Sequence, residues 1–219
     1  MCLERIDRRF GRRLYWRCSR CRLTFLAPEC VLDPGAEKTR YDLHQNGPDD
    51  AGYVRFLRQL AEPLAARLRP GSLGLDYGCG PGPTLCAILE AMGHSVENYD
   101  PYYRPDPSVL RRQYDFVTCS EVMEHVRDPR RTFLRLDRLL KDGGCLAVMT
   151  GILENEDRFV DWWYHLDPTH IAFYQRRTFE WIAGWLGWRV EFPGKNVILC
   201  SKPAAGEPMT RFARRSRLC

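Results

Sequence analysis

Asp76, three alternating glycines and Asp100 are the residues whose types and spacing speak first of chemistry. Asp76 ends the apolar run Leu73-Gly74-Leu75, and Gly78, Gly80 and Gly82 follow, separated by Cys79 and Pro81. Residues 84–92 behind them are apolar at helical spacing and stop at Gly93. A strand, a tight glycine turn and a helix let a ligand lie against bare backbone, with N–H groups and the helix N-terminus turned toward it. The ligand class this implies is a nucleotide or a nucleoside-like cofactor. A dinucleotide fingerprint reads G-x-G-x-x-G, whereas this turn reads G-x-G-x-G. A carboxylate at Asp76 is a poor neighbour for a pyrophosphate. It suits a sulfonium cofactor whose amino-acid head carries an ammonium group. Asp100 ends a second strand-like run, residues 93–99, twenty residues beyond Gly80. An acid there can accept hydrogen bonds from both ribose hydroxyls.

These residues resemble motifs of the class I S-adenosylmethionine-dependent methyltransferases. Leu75-Asp76-Tyr77-Gly78-Cys79-Gly80-Pro81-Gly82 is similar to the family's first motif, and Asp100-Pro101 to its ribose-binding acid. Residues 114–126 are similar to the fourth strand and its following turn, and residues 139–150 to the glycine turn and fifth strand. The four matches fall in order over residues 73–150, and the likeness weakens beyond Thr150. The resemblance implies an α/β, doubly wound Rossmann-like fold with a mostly parallel seven-strand sheet and an antiparallel last strand. It implies S-adenosyl-L-methionine as cofactor, touched by Asp76, Tyr77, Gly78, Cys79, Gly80, Gly82, Asp100, Pro101, Ser120 and Glu121. A nicotinamide dinucleotide is the competing cofactor, but no Tyr-x-x-x-Lys pair is present to support it. One departure stands out. Only thirteen residues, with prolines at 101, 105 and 107, separate Asp100 from Tyr114. The family's second helix and third strand must be abbreviated or missing, which leaves Tyr102 and Asp106 as guesses for the adenine contact.

Methyl transfer is an in-line displacement at an activated carbon. The enzyme places a nucleophile opposite the methyl group in a dry pocket, and adds a base where the acceptor holds its proton. Two stretches border such a pocket. Glu121-Val122-Met123-Glu124-His125 follows the fourth strand, where ligands of doubly wound sheets sit, and offers Glu121 and His125. Residues 161–174 resemble an acceptor element of small-molecule methyltransferases around Pro168-Thr169-His170 and Tyr174. His170 is the candidate general base, because an imidazole titrates near neutrality, with Tyr174 or His165 orienting the acceptor. The competing reading has His125, His170 and the aromatic residues simply packing against the sheet.

The acceptor expected is a small molecule. No Asn-Pro-Pro-Tyr or Asp-Pro-Pro-Tyr sequence follows the fourth strand; Cys119-Ser120-Glu121-Val122 stands there. A nucleic acid is the alternative acceptor, because the chain's ends are basic. Residues 1–40 carry ten Lys/Arg against five Asp/Glu, residues 201–219 five against one, and residues 41–200 eighteen against twenty-two. A third reading is a cofactor-binding partner protein without catalysis. The sequence does not fix the oligomeric state.

Four segments position these groups. Residues 1–30 read as a separate small unit, a strand, a Cys18-x-x-Cys21 knuckle and a second strand, similar to the zinc ribbon of some bacterial methyltransferases. Tetrahedral zinc needs four ligands, and only Cys2 stands where the first pair belongs, so the ribbon is cut short or decayed; Cys30 and His44 are substitutes. Residues 31–50 read as a linker that could fold over the cofactor as a lid. The methyltransferase domain spans 51–203, with a helix before the first strand, one capped by Asp128 with Pro129 at its first position, one capped by Thr178 and stopped by Gly187, and a closing hairpin. Residues 204–219 read as a basic disordered tail. The 219 residues hold ten cysteines, 44% hydrophobic residues and 28% charged ones. The cysteines read as reduced, buried small hydrophobes rather than disulfides. No apolar run nears the roughly 20 residues of a membrane span and no secretory h-region is seen, so a cytoplasmic location is expected.

Overall fold

The computed structural model describes residues 3–10, 13–43 and 47–207. The strands are β1 (Leu3–Phe10), β2 (Arg13–Cys18), β3 (Thr24–Leu26), β4 (Leu73–Tyr77), β5 (Ser95–Tyr99), β6 (Tyr114–Ser120), β7 (Leu140–Met149), β8 (Ala172–Phe173), β9 (Arg189–Glu191) and β10 (Val197–Ser201). The α-helices are α1 (Pro34–Tyr41), α2 (Ala51–Ala65), α3 (Thr84–Ala91), α4 (Pro129–Leu139) and α5 (Arg176–Leu186).

The main sheet runs in the order β5-β4-β6-β7-β10-β9. Its first four strands are parallel, β10 is antiparallel to β7, and β9 is antiparallel to β10. The expected seven strands are therefore six among the described residues. The chain from Asp100 to Tyr114 makes a tight turn closed by paired Asp100–Arg104 backbone bonds and a short 3-10 turn at Val109–Arg111. Its three prolines lack the N–H groups that a strand or helix interior needs, and β5 is left as the sheet edge.

Helices cover both faces, as a parallel sheet requires. On one face α2 and α3 bury Leu57, Leu60, Leu64, Leu85 and Leu89 against Phe116, Ala147 and Leu199. On the other, Phe133 and Leu136 of α4 and Phe179 and Ile182 of α5 meet Val117, Leu146, Val148 and Ile198. Neighbouring residues of one strand serve opposite faces, as the pleat demands. Each such fully buried Leu, Ile or Phe is worth about 1.5–3 kcal/mol. Asp128 caps α4 with Pro129 at its first position, as expected. Thr178 is not the cap of α5: Gln175 is, and Thr178 is the third helical residue, returning a hydrogen bond to the Gln175 N–H in a capping box.

Residues 1–30 are not a separate unit. β3 pairs with β8, giving a second sheet in the order β1-β2-β3-β8. Tyr15 and Leu26 share a core with Phe159, Tyr164 and Phe173. The expected linker also holds structure. Asp33 accepts from the Gly35 and Ala36 N–H groups and starts α1.

Cysteine chemistry differs from the sequence reading in one place. Cys18 is disulfide-bonded, so it is no zinc ligand, and Cys21 is a buried free thiol whose pKa burial pushes up. Cys86, Cys119, Cys145 and Cys200 are buried free thiols, as expected. Cys2, His44 and residues 208–219 lie outside the described residues, and with them the Cys2 ligand, the His44 lid residue and most of the basic tail. No helix among the described residues is long and apolar enough to cross a membrane.

Candidate active site

Parallel pairing brings the carboxyl ends of β4, β5, β6 and β7 to one edge of the sheet. Asp76 lies beside Asn98 and Thr118, and Ser120 beside Met149. Asp76 is 3% exposed, and its Oδ1 accepts from the Thr118 hydroxyl at 2.7 Å. Burial raises its carboxyl to about 6 against that bond. Tyr77 packs against Tyr99, and its hydroxyl accepts from Arg135.

The glycine turn is built differently from the expectation that its N–H groups face the ligand. The Gly78 and Cys79 N–H groups donate to the Tyr99 carbonyl, at 2.7 and 3.2 Å, and the Gly80 N–H donates to Asp100 Oδ2 at 3.1 Å. The turn is thus stitched to the end of β5, and none of these three donors is left to cradle a pyrophosphate. Gly78 and Gly80 have φ of +85° and +64°, a region that favours glycine. A Cβ on Gly78 would lie 2.5 Å from Val122, whereas one on Gly80 would meet nothing within 4 Å. Gly80 therefore borders open space where a cofactor could rest. Asp100 Oδ1 accepts from the Tyr102 and Tyr103 N–H groups, so three backbone bonds fix the carboxylate. Burial pushes the Cys79 thiol up to about 12, which keeps it protonated and no nucleophile. Pro101 is exposed at the turn. Of the adenine guesses, Asp106 binds only Ser108, while Tyr102 donates to Glu37 and packs against Tyr41 of α1.

A polar cluster forms beyond β6. Glu121 has φ of +52°, a strained value for a residue with a side chain. Glu124 is fully buried and accepts from the Thr150 hydroxyl at 2.8 Å. The Tyr164 hydroxyl reaches Glu124 Oε1 and, at 3.2 Å, Glu121 Oε2. Burial, and then the Glu124 carboxylate, push the Glu121 carboxyl well above the usual range. His125 Nδ1 lies 3.0 Å from the Thr169 carbonyl, and His170 Nδ1 lies 2.6 Å from the Tyr164 carbonyl. Carbonyls only accept, so both rings carry a proton on Nδ1. The rings meet edge to face at 4.8 Å. Burial lowers the His170 pKa, which leaves that ring neutral at neutral pH.

A cleft of about 510 Å³ opens beside Glu121, walled by Phe56, Trp162, Trp163 and Tyr164 with Asn155 and Lys195 at its polar side. Trp163 is 71% exposed there. The cleft lining includes Glu121 but none of the glycine turn. Two expected acceptor residues are elsewhere. Tyr174 is wholly buried with its hydroxyl donating to the Met123 carbonyl, and His165 is buried against Tyr15 and Phe159. Both are framework residues. Sequence reasoning missed Glu124 and Tyr164, although the Glu-x-x-Glu-His spacing of residues 121–125 was a usable signal for the first.

Residues 50–191, well over half of the chain, match the family described as a methyltransferase domain. The chain belongs to that family. Ubiquinone biosynthesis O-methyltransferase of Acinetobacter baumannii (strain AYE) is 36% identical over 94 residues, covering 42% of this chain and 38% of the relative. The namesake protein of Saccharophagus degradans is 30% identical over 133 residues, covering 49% and 52%. The chain thus spans about half or less of these relatives' length. In fold it is similar to an O-methyltransferase family protein of Burkholderia thailandensis, with a TM-score of 0.53, 16% identity and coverage of 82% of this chain and 63% of that one. It is also similar to that organism's 1,6-didemethyltoxoflavin-N1-methyltransferase, solved with its acceptor and S-adenosylhomocysteine, with a TM-score of 0.54, 14% identity and coverage of 88% and 96%. The family's cofactor, S-adenosylmethionine, fits the residues present. Gly80 borders open space, Asp100 is a carboxylate fixed by backbone bonds, Asp76 offers a second carboxylate, and the Gly78, Cys79 and Gly80 N–H groups are already engaged within the chain.

Proposed function

We propose that this methyltransferase-family chain transfers a methyl group from S-adenosylmethionine to a hydroxyl of a small, flat acceptor. The observation that carries the reading is the adjacency of two differently built halves. The glycine turn, pinned to Asp100, packs at Gly78 against Val122, the neighbour of Glu121, and Glu121 itself lines an aromatic cleft of about 510 Å³. Asp100 would hold the ribose and Asp76 the ammonium group of the cofactor's amino-acid head. When bound, the cofactor supplies a methyl group already activated by its sulfonium. Phe56, Trp162 and Trp163 offer flat apolar surface that excludes water from the acceptor. Both histidines donate through Nδ1 to backbone carbonyls, and His170, kept neutral by burial, would accept the hydroxyl's proton at Nε2. The names of the matched relatives, O-methyltransferases of ubiquinone biosynthesis, support oxygen as the acceptor atom.

Calorimetric titration with S-adenosylmethionine and S-adenosylhomocysteine, with NAD as control, tests the cofactor half. Micromolar binding of the first two and none of NAD is expected. A panel of phenolic and catecholic acceptors, scored by a 14 Da mass gain, then tests the acceptor half. Methylation of nitrogen or RNA acceptors alone would overturn it.

A further inference from the structure

Six arginines flank two tyrosines where the main sheet ends at β5. The chain from Asp100 to Tyr114 lays no α-helix over this end of the sheet, only the 3-10 turn at Val109–Arg111, and α4 stands over β6 and β7. We propose that this face binds single-stranded nucleic acid, with the tyrosine rings stacking bases and the arginines holding phosphates. The surface shares no residue with the lining of the aromatic cleft, so it is a binding site beyond the methyl-transfer reading and independent of it.

The floor comes from the sheet. Tyr77 and Tyr99 are register partners at the carboxyl ends of β4 and β5, so both rings leave the same face. They are half-buried, with ring centroids 5.3 Å apart. One bank comes from α4. Arg131, Arg135 and Arg138 recur at helical spacing and form a stripe. Arg135 fixes the stripe's direction by donating to the Tyr77 hydroxyl at 3.3 Å. The opposite flank of α4 carries Asp137, which accepts from Trp188, and Arg130, which lies over Trp185. The other bank is the turn after β5, with Arg104, Arg111 and Arg112. Arg104, Arg111, Arg131 and Arg138 are exposed, and none has an ion-pair partner among the described residues. Three carboxylates stand near them, each already engaged. Glu97 pairs with Arg112 and accepts from the Tyr114 hydroxyl, Asp106 holds Ser108, and Asp100 holds backbone N–H groups.

The chemistry of the two banks and the floor narrows the ligand. Guanidinium groups fork onto phosphate oxygens through paired hydrogen bonds. Aromatic rings stack bases of any sequence once the strand is single. A base inside a duplex is already stacked on its neighbours, so a single strand is the form that uses both features. A lipid surface lacks its counterpart here. The large exposed apolar residues among the described ones are Leu43, Trp163 and Leu166, and none belongs to β4, β5, α4 or the turn after β5. An acidic peptide would engage the arginines and leave the tyrosine rings without a role.

The test uses the whole chain and a fluorescent oligouridine of about 12 nucleotides, within the usual span of single-strand sites. Anisotropy is read at several salt concentrations, and binding that weakens steeply with salt is expected. The double variant Arg131→Gln, Arg138→Gln should bind at least tenfold more weakly, with a salt slope shallower by about 1.4 for two lost phosphate contacts on a single strand. Its melting temperature and its affinity for S-adenosylhomocysteine should match wild type. Arg176→Gln with Arg177→Gln, on α5, should leave the nucleic-acid affinity unchanged. On the wild-type protein, an abasic strand of equal length keeps the phosphates and lacks the stacking bases, so it should bind at least tenfold more weakly. The deoxy counterpart of the probe, run beside it, separates RNA from DNA as the source. No binding, or binding untouched by Arg131→Gln with Arg138→Gln, would overturn the site. An abasic strand, polyglutamate or phosphatidylglycerol vesicles binding as well as the oligouridine would overturn it too.

Discussion

Asp76 is an acid buried at a cost in stability. Burial lifts its carboxyl to about 6, above the ordinary 3.8. The folded state therefore favours the proton more than the unfolded chain does. The stabilising share of this group is complete below pH 4 and declines as pH rises through 6, so at neutral pH the ionised residue is a net cost of about 2–3 kcal/mol. Asp76→Asn keeps an oxygen for the Thr118 hydroxyl and removes that cost. Calorimetry should find the variant more stable by several degrees at pH 8 and level with wild type near pH 4. Its affinity for S-adenosylmethionine should fall at least tenfold. In wild type the same affinity should weaken as pH drops through 6, and a flat profile from pH 5 to 8 would remove Asp76 from the ammonium site. The two left-handed glycines separate in the same manner. Gly78→Ala meets Val122 and should lower the melting temperature strongly, with partial rescue by Val122→Ala. Gly80→Ala adds only backbone strain of about 1–2 kcal/mol, but its methyl group fills the open space and should abolish cofactor binding. The glycine turn and the placing of Asp76 and Asp100 at strand ends were legible in sequence because they depend on the local chain. The Tyr164–Glu124–Glu121 contact was not, because it joins residues 40 and more positions apart through folding alone.

At the scale of elements, sequence and structure part company where tertiary contacts override local pattern. Residues 34–41 offered no apolar stripe and read as linker. The Asp33-Pro34 pair was nevertheless the same start signal as Asp128-Pro129, and it begins α1. What holds α1 down is a polar clasp. Buried Glu37 accepts from the hydroxyls of Tyr41 at 2.7 Å and Tyr102 at 3.3 Å, and pairs with Arg127 at 3.0 Å. The Tyr41 ring rests edge-on against His125. α1 therefore spans from the turn after Asp100 to the polar cluster. Glu37→Ala leaves two tyrosine hydroxyls and a guanidinium without their acceptor. Trypsin should cut the variant faster after Lys38 and Arg40, and S-adenosylhomocysteine should slow the cut in wild type. Equal cleavage rates would mean that α1 is held by other contacts. The missing third strand was legible for the opposite reason, since three prolines in thirteen residues forbid it whatever surrounds them.

Across the whole molecule, the N-terminal strands matter because they pack against the aromatic wall of the cleft. Residues 163–166 make no sheet of their own, and Arg13 of β2 binds the His165 carbonyl at 2.8 Å. Phe159, Tyr164 and Phe173 pack with Tyr15 and Leu26. Glu156 fastens the same region to the second sheet and its β2–β3 turn through Arg17 at 3.0 Å and through Arg22. The Arg22 hydrogen bonds lead in holding the Glu156 carboxyl down to about 2. A depressed acid stabilises the fold fully above its ordinary pKa of 4.5 and loses that share as pH falls through 2. The melting temperature of Glu156→Gln should therefore lie below wild type at pH 7, with the gap closing between pH 4.5 and 2. Removing residues 1–26 goes further, because Phe173 and Phe159 lose their cover and β8 loses its only strand partner among the described residues. The shortened chain should melt at a lower temperature and expose apolar surface to a hydrophobic dye. If it instead melts as wild type does and methylates the same acceptor, the second sheet is an appendage after all, and the Trp162–Tyr164 wall must be held by the main sheet alone.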